Sequence, residues 1–468
     1  MSFVFDILNV LTEQETDAVK RMHLSDKENE VLHLLLKERQ KPEPENEQVC
    51  RQLDISDAHY NKIKSKLLDK ILTGLGGASP SGIINFIASK RTLPAILQRE
   101  ILQQEKNLVK AGADKVERHA YYTNCFERYI MVPAKVFNHE FAEELAGKIL
   151  SISRNKAIDN FEINAGLALV KLNMLAAKGG AHVWAVEQNI PSMLEKLQKD
   201  AEKLNTYLSR YRIKHLFGFY YQIISDIPKS LAQYEKILLL LDEKGCDLPE
   251  RMRLKARLKH AEALYFLNRY DEAFTRYQNL LNDYIDILRD DVYTKSKFIQ
   301  VAIITRNYDT AETLLDKYMK HYLQAKGGNS HVMAALCYTK LYLCKGDYNS
   351  ASPYLDLLRK ELNKTVYVQY EIELRNLENA YFFLTGDYVF ARTLSKKNIK
   401  FLASKGFNMH NSGYAYFFHL INAFYNLHQS GKKLNKEQQK MMDYCQDGSW
   451  KIYGILLQQM HNKALAFK

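Results

Sequence analysis

Asn268-Arg-Tyr-Asp-Glu-Ala273, Arg306-Asn-Tyr-Asp-Thr-Ala311, Gly346-Asp-Tyr-Asn-Ser-Ala351 and Gly386-Asp-Tyr-Val-Phe-Ala391 are four versions of one phrase. Their tyrosines, Tyr270, Tyr308, Tyr348 and Tyr388, stand 38, 40 and 40 residues apart, and the alanines keep the same interval. A fainter copy, Asp226-Ile-Pro-Lys-Ser230, precedes the first. Apolar residues at 3–4 spacing flank each phrase: Leu258, Ala261, Leu264 and Tyr265 before the first, Ala273, Tyr277 and Leu280 after it. The next two second helices keep that face with Ala311, Leu315, Tyr318 and with Ala351, Leu355, Leu358. Such spacing is helical, so each phrase is the turn of a helical hairpin. One hairpin cannot bury its apolar stripe, whereas stacked hairpins can. The alanine lets two helices approach closely, and the tyrosine wedges the turn.

Composition agrees. The 468 residues are 46% hydrophobic and 26% charged, and they contain only 9 Pro and 20 Gly. So few breakers exclude a sandwich, a barrel or a βαβ array, which need turn residues at short intervals. The reading predicts an all-α chain, an α-solenoid of antiparallel helix pairs behind an N-terminal helical domain. Five segments are expected: an N-terminal helical unit (1–73), a Gly/Ser/Pro-containing hinge (74–94), degenerate hairpins (95–214), the repeats (215–405) and C-terminal capping helices (406–468).

Over residues 215 to 400 or so the phrase resembles the tetratricopeptide repeat, whose second helix opens with Gly-Asp-Tyr-x-x-Ala. The interval here exceeds that family's period of about 34 residues. Its small residue in the first helix is kept as Ala261 and replaced by Ile299, Thr339 and Asn379, while Ser395 and Asn398 stand at apolar second-helix positions. The resemblance implies a protein- or peptide-binding scaffold with an exposed inner wall carrying Lys255, Glu262, Tyr265, Tyr293, Gln300, Met333, Lys340, Glu373 and Asn376. That set mixes both charges and does not form the basic clamp with which some members hold a C-terminal carboxylate. Twenty-one of the 30 tyrosines fall between Tyr207 and Tyr388. They either fill the space between helices or line a groove for an extended peptide.

At the other end, Thr12 with Glu15 and Ser25 with Glu28 read as capping boxes. They open helices over Leu11–Met22 and from about Asp26. The stretch from Lys41 to Asn46 reads as a loop, and a further helix runs from about Asp57 to Leu72. Val49-Cys-Arg-Gln-Leu-Asp-Ile-Ser56 followed by Lys62-Ile-Lys-Ser-Lys-Leu-Leu68 resembles the helix-turn-helix of LuxR-type regulators and sigma-factor region 4. The likeness would turn Asp57, His59, Tyr60, Lys62, Lys64 and Lys66 toward DNA, and the chain's layout is that of certain peptide-sensing regulators. Charge argues the other way. The formal net charge is +12, yet residues 1–78 hold 11 basic against 14 acidic residues, and the candidate helix has no arginine to read guanine edges. Nucleic acid is therefore the alternative partner, with a solenoid cap as the structural role.

No catalytic phrase survives inspection. Gly77-x-x-x-x-Gly82 lacks the lysine of a phosphate loop. His139-Glu140 is followed by Glu143 where a second zinc histidine would stand. No enzyme, cofactor or metal is expected. Six cysteines without a C-x-x-C pair fit a reducing, cytoplasmic setting. The start, Met1 to Asp6, has no basic leader, and no apolar run approaches a membrane span.

Overall fold

A computed structural model describes residues 3–11, 13–38, 45–89, 94–132, 137–178, 189–284, 286–288, 291–324, 329–362, 368–405, 413–446 and 450–466. Among these the chain is all-α, with 25 helices and no strand. It divides into two compact units, Met1–Leu216 and Phe217–Lys468.

In the first unit α1 (Phe3–Val10), α2 (Glu13–Lys20), α3 (Asp26–Lys37) and α4 (Asn46–Leu53) all pack on the 20-residue α5 (Asp57–Gly76). The Ser25–Glu28 capping box closes as expected: Ser25 accepts from the Glu28 N–H, and Glu28 accepts back from the Ser25 N–H. Asp54, at φ 51°, reverses the chain after α4, and the Ser56 hydroxyl caps α5. Tyr60, Ile63, Leu67 and Ile71 form the buried stripe of α5 against Leu8, Val31 and Leu35. The helix expected over Leu11–Met22 is the shorter α2, and α1 precedes it where none was expected. Thr12, its expected cap, lies outside the described residues, as do residues 41–44 of the expected loop, and Asn46 already opens α4.

The expected hinge at 74–94 is corrected. Gly74 and Gly76 belong to α5, and Pro80–Ser89 is α6, which buries Ile84 and Ile87 in the same core. The glycines serve a close turn: α5 and α6 meet at 92°, and a Cβ on Gly82 would stand 2.2 Å from the Gly76 carbonyl oxygen. From there α7 (Pro94–Lys110), α8 (Lys115–Tyr129), α9 (His139–Ile152), α10 (Lys156–Lys178) and α11 (Asn189–Leu204) mostly pack on near neighbours in sequence, ahead of α12 (Tyr207–Ile223).

The second unit runs in pairs: α13 (Ile227–Leu241), α14 (Glu250–Phe266) with α15 (Tyr270–Asp283), α16 (Val292–Ile304) with α17 (Tyr308–Tyr318) and the short α18 (Lys320–Gln324), α19 (Asn329–Lys345) with α20 (Tyr348–Leu362), α21 (Val368–Thr385) with α22 (Tyr388–Ser404), and α23 (Gly413–Ser430) with α24 (Lys436–Tyr444). Each helix of a pair packs on its mate, and α16, α19, α21 and α23 pack on one another in succession. The four phrase tyrosines are each the first residue of a second helix.

Two residues before each tyrosine the backbone is left-handed, at Asn268 (62°), Arg306 (59°), Gly346 (83°) and Gly386 (101°), and Ser225 (62°) matches them in the fainter copy. The next N–H donates back across the corner in every case: Arg269 to Leu264 O (3.0 Å), and Asn307 to Ala302 O, Asp347 to Tyr342 O and Asp387 to Phe382 O (all 2.9 Å). This is the bond that closes a helix C-terminus through a left-handed residue. Ala273, Ala311, Ala351 and Ala391 are all 0% exposed.

The last helix, α25 (Lys451–Leu465), departs from the expected cap. It packs on α23 but also on α16, α19 and α21. Ile452, Leu456, Leu457, Met460 and Ala464 are buried there. Gln459 Nε2 donates to Cys344 O (2.8 Å) and Lys463 Nζ to Leu384 O, carbonyls in the last turns of α19 and α21. Such carbonyls have no partner within their own helix, so these side chains cap two successive first helices. Gly454 lets α25 pass close to the end of α24, since a Cβ would stand 2.2 Å from Cys445 O. Among the described residues no single helix is long and apolar enough to cross a membrane.

Candidate binding cavity

On α16, Tyr293 and Gln300 are seven apart, as are Met333 and Lys340 on α19, so each pair shares a helix face. These four and Glu373 of α21 converge on one cavity of about 390 Å3, roofed by Trp450, Ile452 and Tyr453 at the start of α25. Tyr370 and Tyr414 add aromatic wall, and Ser296, Lys297, Leu336 and Cys337 complete the lining. A Cβ on Gly413 would stand 2.5 Å from the Trp450 ring, so glycine at the start of α23 makes room for the indole.

The charges are unequal in their satisfaction. Lys340 is 5% exposed and pairs with Glu373 at 2.6 Å. Lys297 sits over the rings of Tyr265 and Tyr293, at 5.2 and 5.4 Å, and among the described residues no carboxylate comes within ion-pair distance of it. Burial holds its ammonium below the usual lysine range; Glu262 and Glu373 oppose that shift, and the Lys340 cation adds to it. Burial pushes the Cys337 thiol up to about 12. The Tyr453 hydroxyl faces the Asn376 amide without closing a well-aligned hydrogen bond.

Placement of the nine inner-wall residues is therefore mixed. Tyr293, Gln300, Met333, Lys340 and Glu373 meet at the cavity; Lys255 is half-buried and lies away from it. Glu262 (7% exposed), Tyr265 (1%) and Asn376 (0%) are packed away, and Glu262 is engaged by Lys259 at 2.6 Å. The expected exposed wall is corrected at these positions, and at Lys340, because α25 and the neighbouring helices cover it. Reasoning from repeats missed Lys297, although it stands four residues after Tyr293 on the same face. It also missed Trp450 and Tyr453, which belong to no repeat.

In the first unit, α4 and α5 are joined by the Asp54 turn, and Asp57, His59, Lys62 and Lys66 are exposed. Tyr60 is corrected as a DNA contact: it is 0% exposed and faces the core. Lys64 lies 4.4 Å over its ring and donates to Asn46 Oδ1 at 3.0 Å. Among the described residues no three His, Cys, Asp or Glu side chains cluster to hold a metal.

Compared with known proteins, the chain matches no family model and no curated relative.

Proposed function

We propose that the chain is a non-enzymatic, tetratricopeptide-like α-solenoid of antiparallel helix pairs. It binds a protein or peptide ligand at the cavity beneath α25, in the cytoplasm. One observation carries the reading: side chains from three successive hairpins meet at a single ligand-sized hollow whose Lys297 has no ion-pair partner among the described residues. A cavity of about 390 Å3 is within the range that holds small ligands. With α25 along the inner helices, the ligand enters as a chain end or a protruding side chain rather than as a long extended strand. An acidic group at Lys297 offsets the cost of a buried cation, and the surrounding aromatic rings take the apolar part.

Trp450 is one of two tryptophans in the chain, so Trp184→Phe leaves it as the sole reporter of occupancy. Short acidic peptides should change its fluorescence saturably. Lys297→Met should weaken that response about tenfold or more, the worth of one charge-assisted hydrogen bond. Equal titrations with Lys297→Met and Tyr293→Ala would reject the cavity as the site.

A second reading rests on the α4–α5 geometry and the exposed His59, Lys62 and Lys66: a regulator that holds DNA through its first unit. The full chain should then bind duplex DNA with a steep dependence on salt. No binding at low salt leaves α4 and α5 with a structural role.

A further inference from the structure

The buried and half-buried acids of the first unit are closed by partners almost throughout. Glu28 meets Lys70 at 2.7 Å, Glu105 meets Lys148 at 2.7 Å, Asp159 meets His119 at 2.8 Å and Glu162 meets Arg212 at 3.0 Å. Glu100, on α7, is the exception. It is 2% exposed, and its Oε1 accepts no hydrogen bond. The one cation near it among the described residues, Arg99 Nε, is 3.8 Å away, and that guanidinium lies over the Phe3 ring at 5.0 Å. An unsatisfied buried acceptor costs about 1–3 kcal/mol, more when charged, so an open carboxylate is informative.

Glu100 is not sealed in. It lies on a cleft of about 450 Å3 between α5, the start of α6 and α7. Asp69 of α5 also lines that cleft, and Ser65, Thr73, Gln103 and Asn107 supply further polar groups. The neighbouring Gln104 is 9% exposed; its amide lies beside Glu100, and its oxygen accepts from Asn107 at 3.3 Å. Burial pushes both carboxyl groups up, the nearby Arg99 opposes this in each, and Asp69 adds to the rise at Glu100. The lining thus sets two carboxyl groups against one arginine.

We propose that this cleft binds a small aliphatic primary amine, its ammonium group seated between Glu100 and Asp69. A metal ion fits poorly, because hard cations take six or more oxygen ligands and only two carboxylates are present. A guanidinium fits less well than an ammonium: one carboxylate oxygen without a hydrogen bond offers a monodentate contact, which suits a point charge with rotatable donors. The hydroxyls and amides along the cleft accept the remaining N–H groups. The same ammonium chemistry occurs in a free amine and in a lysine side chain; the cleft's size and polar lining commit the proposal to the free amine.

The test is calorimetric titration of the full chain with 1,4-diaminobutane, with Nα-acetyl-lysine methylamide as the side-chain arm and 1-butanol as the neutral control. Saturable binding of the diamine, weaker binding of the lysine derivative and none of butanol is the expected result. Glu100→Gln and Asp69→Asn should each weaken the diamine about tenfold or more, while Arg99→Gln, which removes the competing cation, should tighten it. Glu100→Gln also removes a buried charge whose ion pair with Arg99 is long, at 3.8 Å, so its melting temperature should hold or rise, and lost binding then cannot be ascribed to unfolding. No saturable heat with the diamine, unchanged affinity in Glu100→Gln, or tighter binding of the lysine derivative than of the diamine overturns the proposal.

Discussion

The second helices α20 and α22 begin alike and then part company. Both follow a left-handed glycine, Gly346 or Gly386, and both are capped by an aspartate, Asp347 on Ser350 N–H and Asp387 on Phe390 N–H, each at 3.1 Å. Both bury an alanine completely in the first turn. Four and seven residues on, α20 places Leu355 and Leu358, whereas α22 places Ser395 and Asn398, and all four are buried. The polar pair is closed by hydrogen bonds. Ser395 Oγ donates to Phe418 O (2.6 Å) and accepts from Asn422 Nδ2 (2.9 Å), while Arg375 Nη1 donates to Asn398 Oδ1 (2.9 Å). With its amide turned to suit its neighbours, Asn379 donates to Ala391 O (2.7 Å) and accepts from Asn398 Nδ2 (3.2 Å). The corner fixes where two helices meet; the interior behind it must be either filled or fully hydrogen-bonded.

The sharpest way to break that comparison is to exchange the two chemistries at one position. Leu358→Asn puts an amide where no network receives it and removes apolar volume as well. The expected loss is about 4 kcal/mol, the sum of a cavity cost and an unsatisfied polar group. Guanidinium melts of the full chain, followed by helix content, measure it. A loss below about 1 kcal/mol would show that the apolar interface tolerates a polar group as readily as α22 does.

The reverse exchange costs less, because the protein around Asn398 can partly adapt. Asn398→Leu leaves Arg375 and Asn379 each short of a partner, for an expected loss of about 2 kcal/mol. Adding Asn379→Ala removes one of the orphaned groups. The double variant should therefore lose about 1 kcal/mol less than the sum of the two single losses. Strict additivity in the same melts would mean that the Asn379–Asn398 contact contributes nothing.

How much of this could be read from the chain depends on how local its cause is. The corners were legible because a six-residue phrase specifies them: a left-handed residue, a cap, a wedge and a small residue, repeated in register. Ser395 and Asn398 were recognisable as departures, but their partners Arg375 and Asn422 sit 23 and 27 residues away in sequence and share no pattern with them. The return of α25 left no trace, since Gln459 and Lys463 reach carbonyls 115 and 79 residues earlier. The packing of α25 on α16, α19 and α21 brings Tyr453 over Lys340 and beside Asn376. In the first unit the burial of Tyr60 was readable, because Tyr60, Ile63, Leu67 and Ile71 form one helical stripe. Helix α1, eight residues of Phe3–Val10, is too short for periodicity to separate it from a strand.

The smallest effect tests the corner itself, which the comparison holds constant. Two corners place glycine in the left-handed region and two place Asn268 or Arg306 there, at 62° and 59°. Asparagine tolerates that conformation; arginine pays about 1–2 kcal/mol for it. Arg306→Gly relieves the strain but gives the unfolded chain more freedom, worth about 0.4–1 kcal/mol in the other direction. The net expectation is a gain of about 0.5 kcal/mol. Gly346→Ala should do the opposite and lose about 1 kcal/mol, purely through conformation, because a Cβ at Gly346 meets no atom within 4 Å. If Arg306→Gly instead destabilises the fold, the arginine side chain holds its corner through contacts that glycine lacks. The four corners would then share a backbone shape without sharing the reason for it.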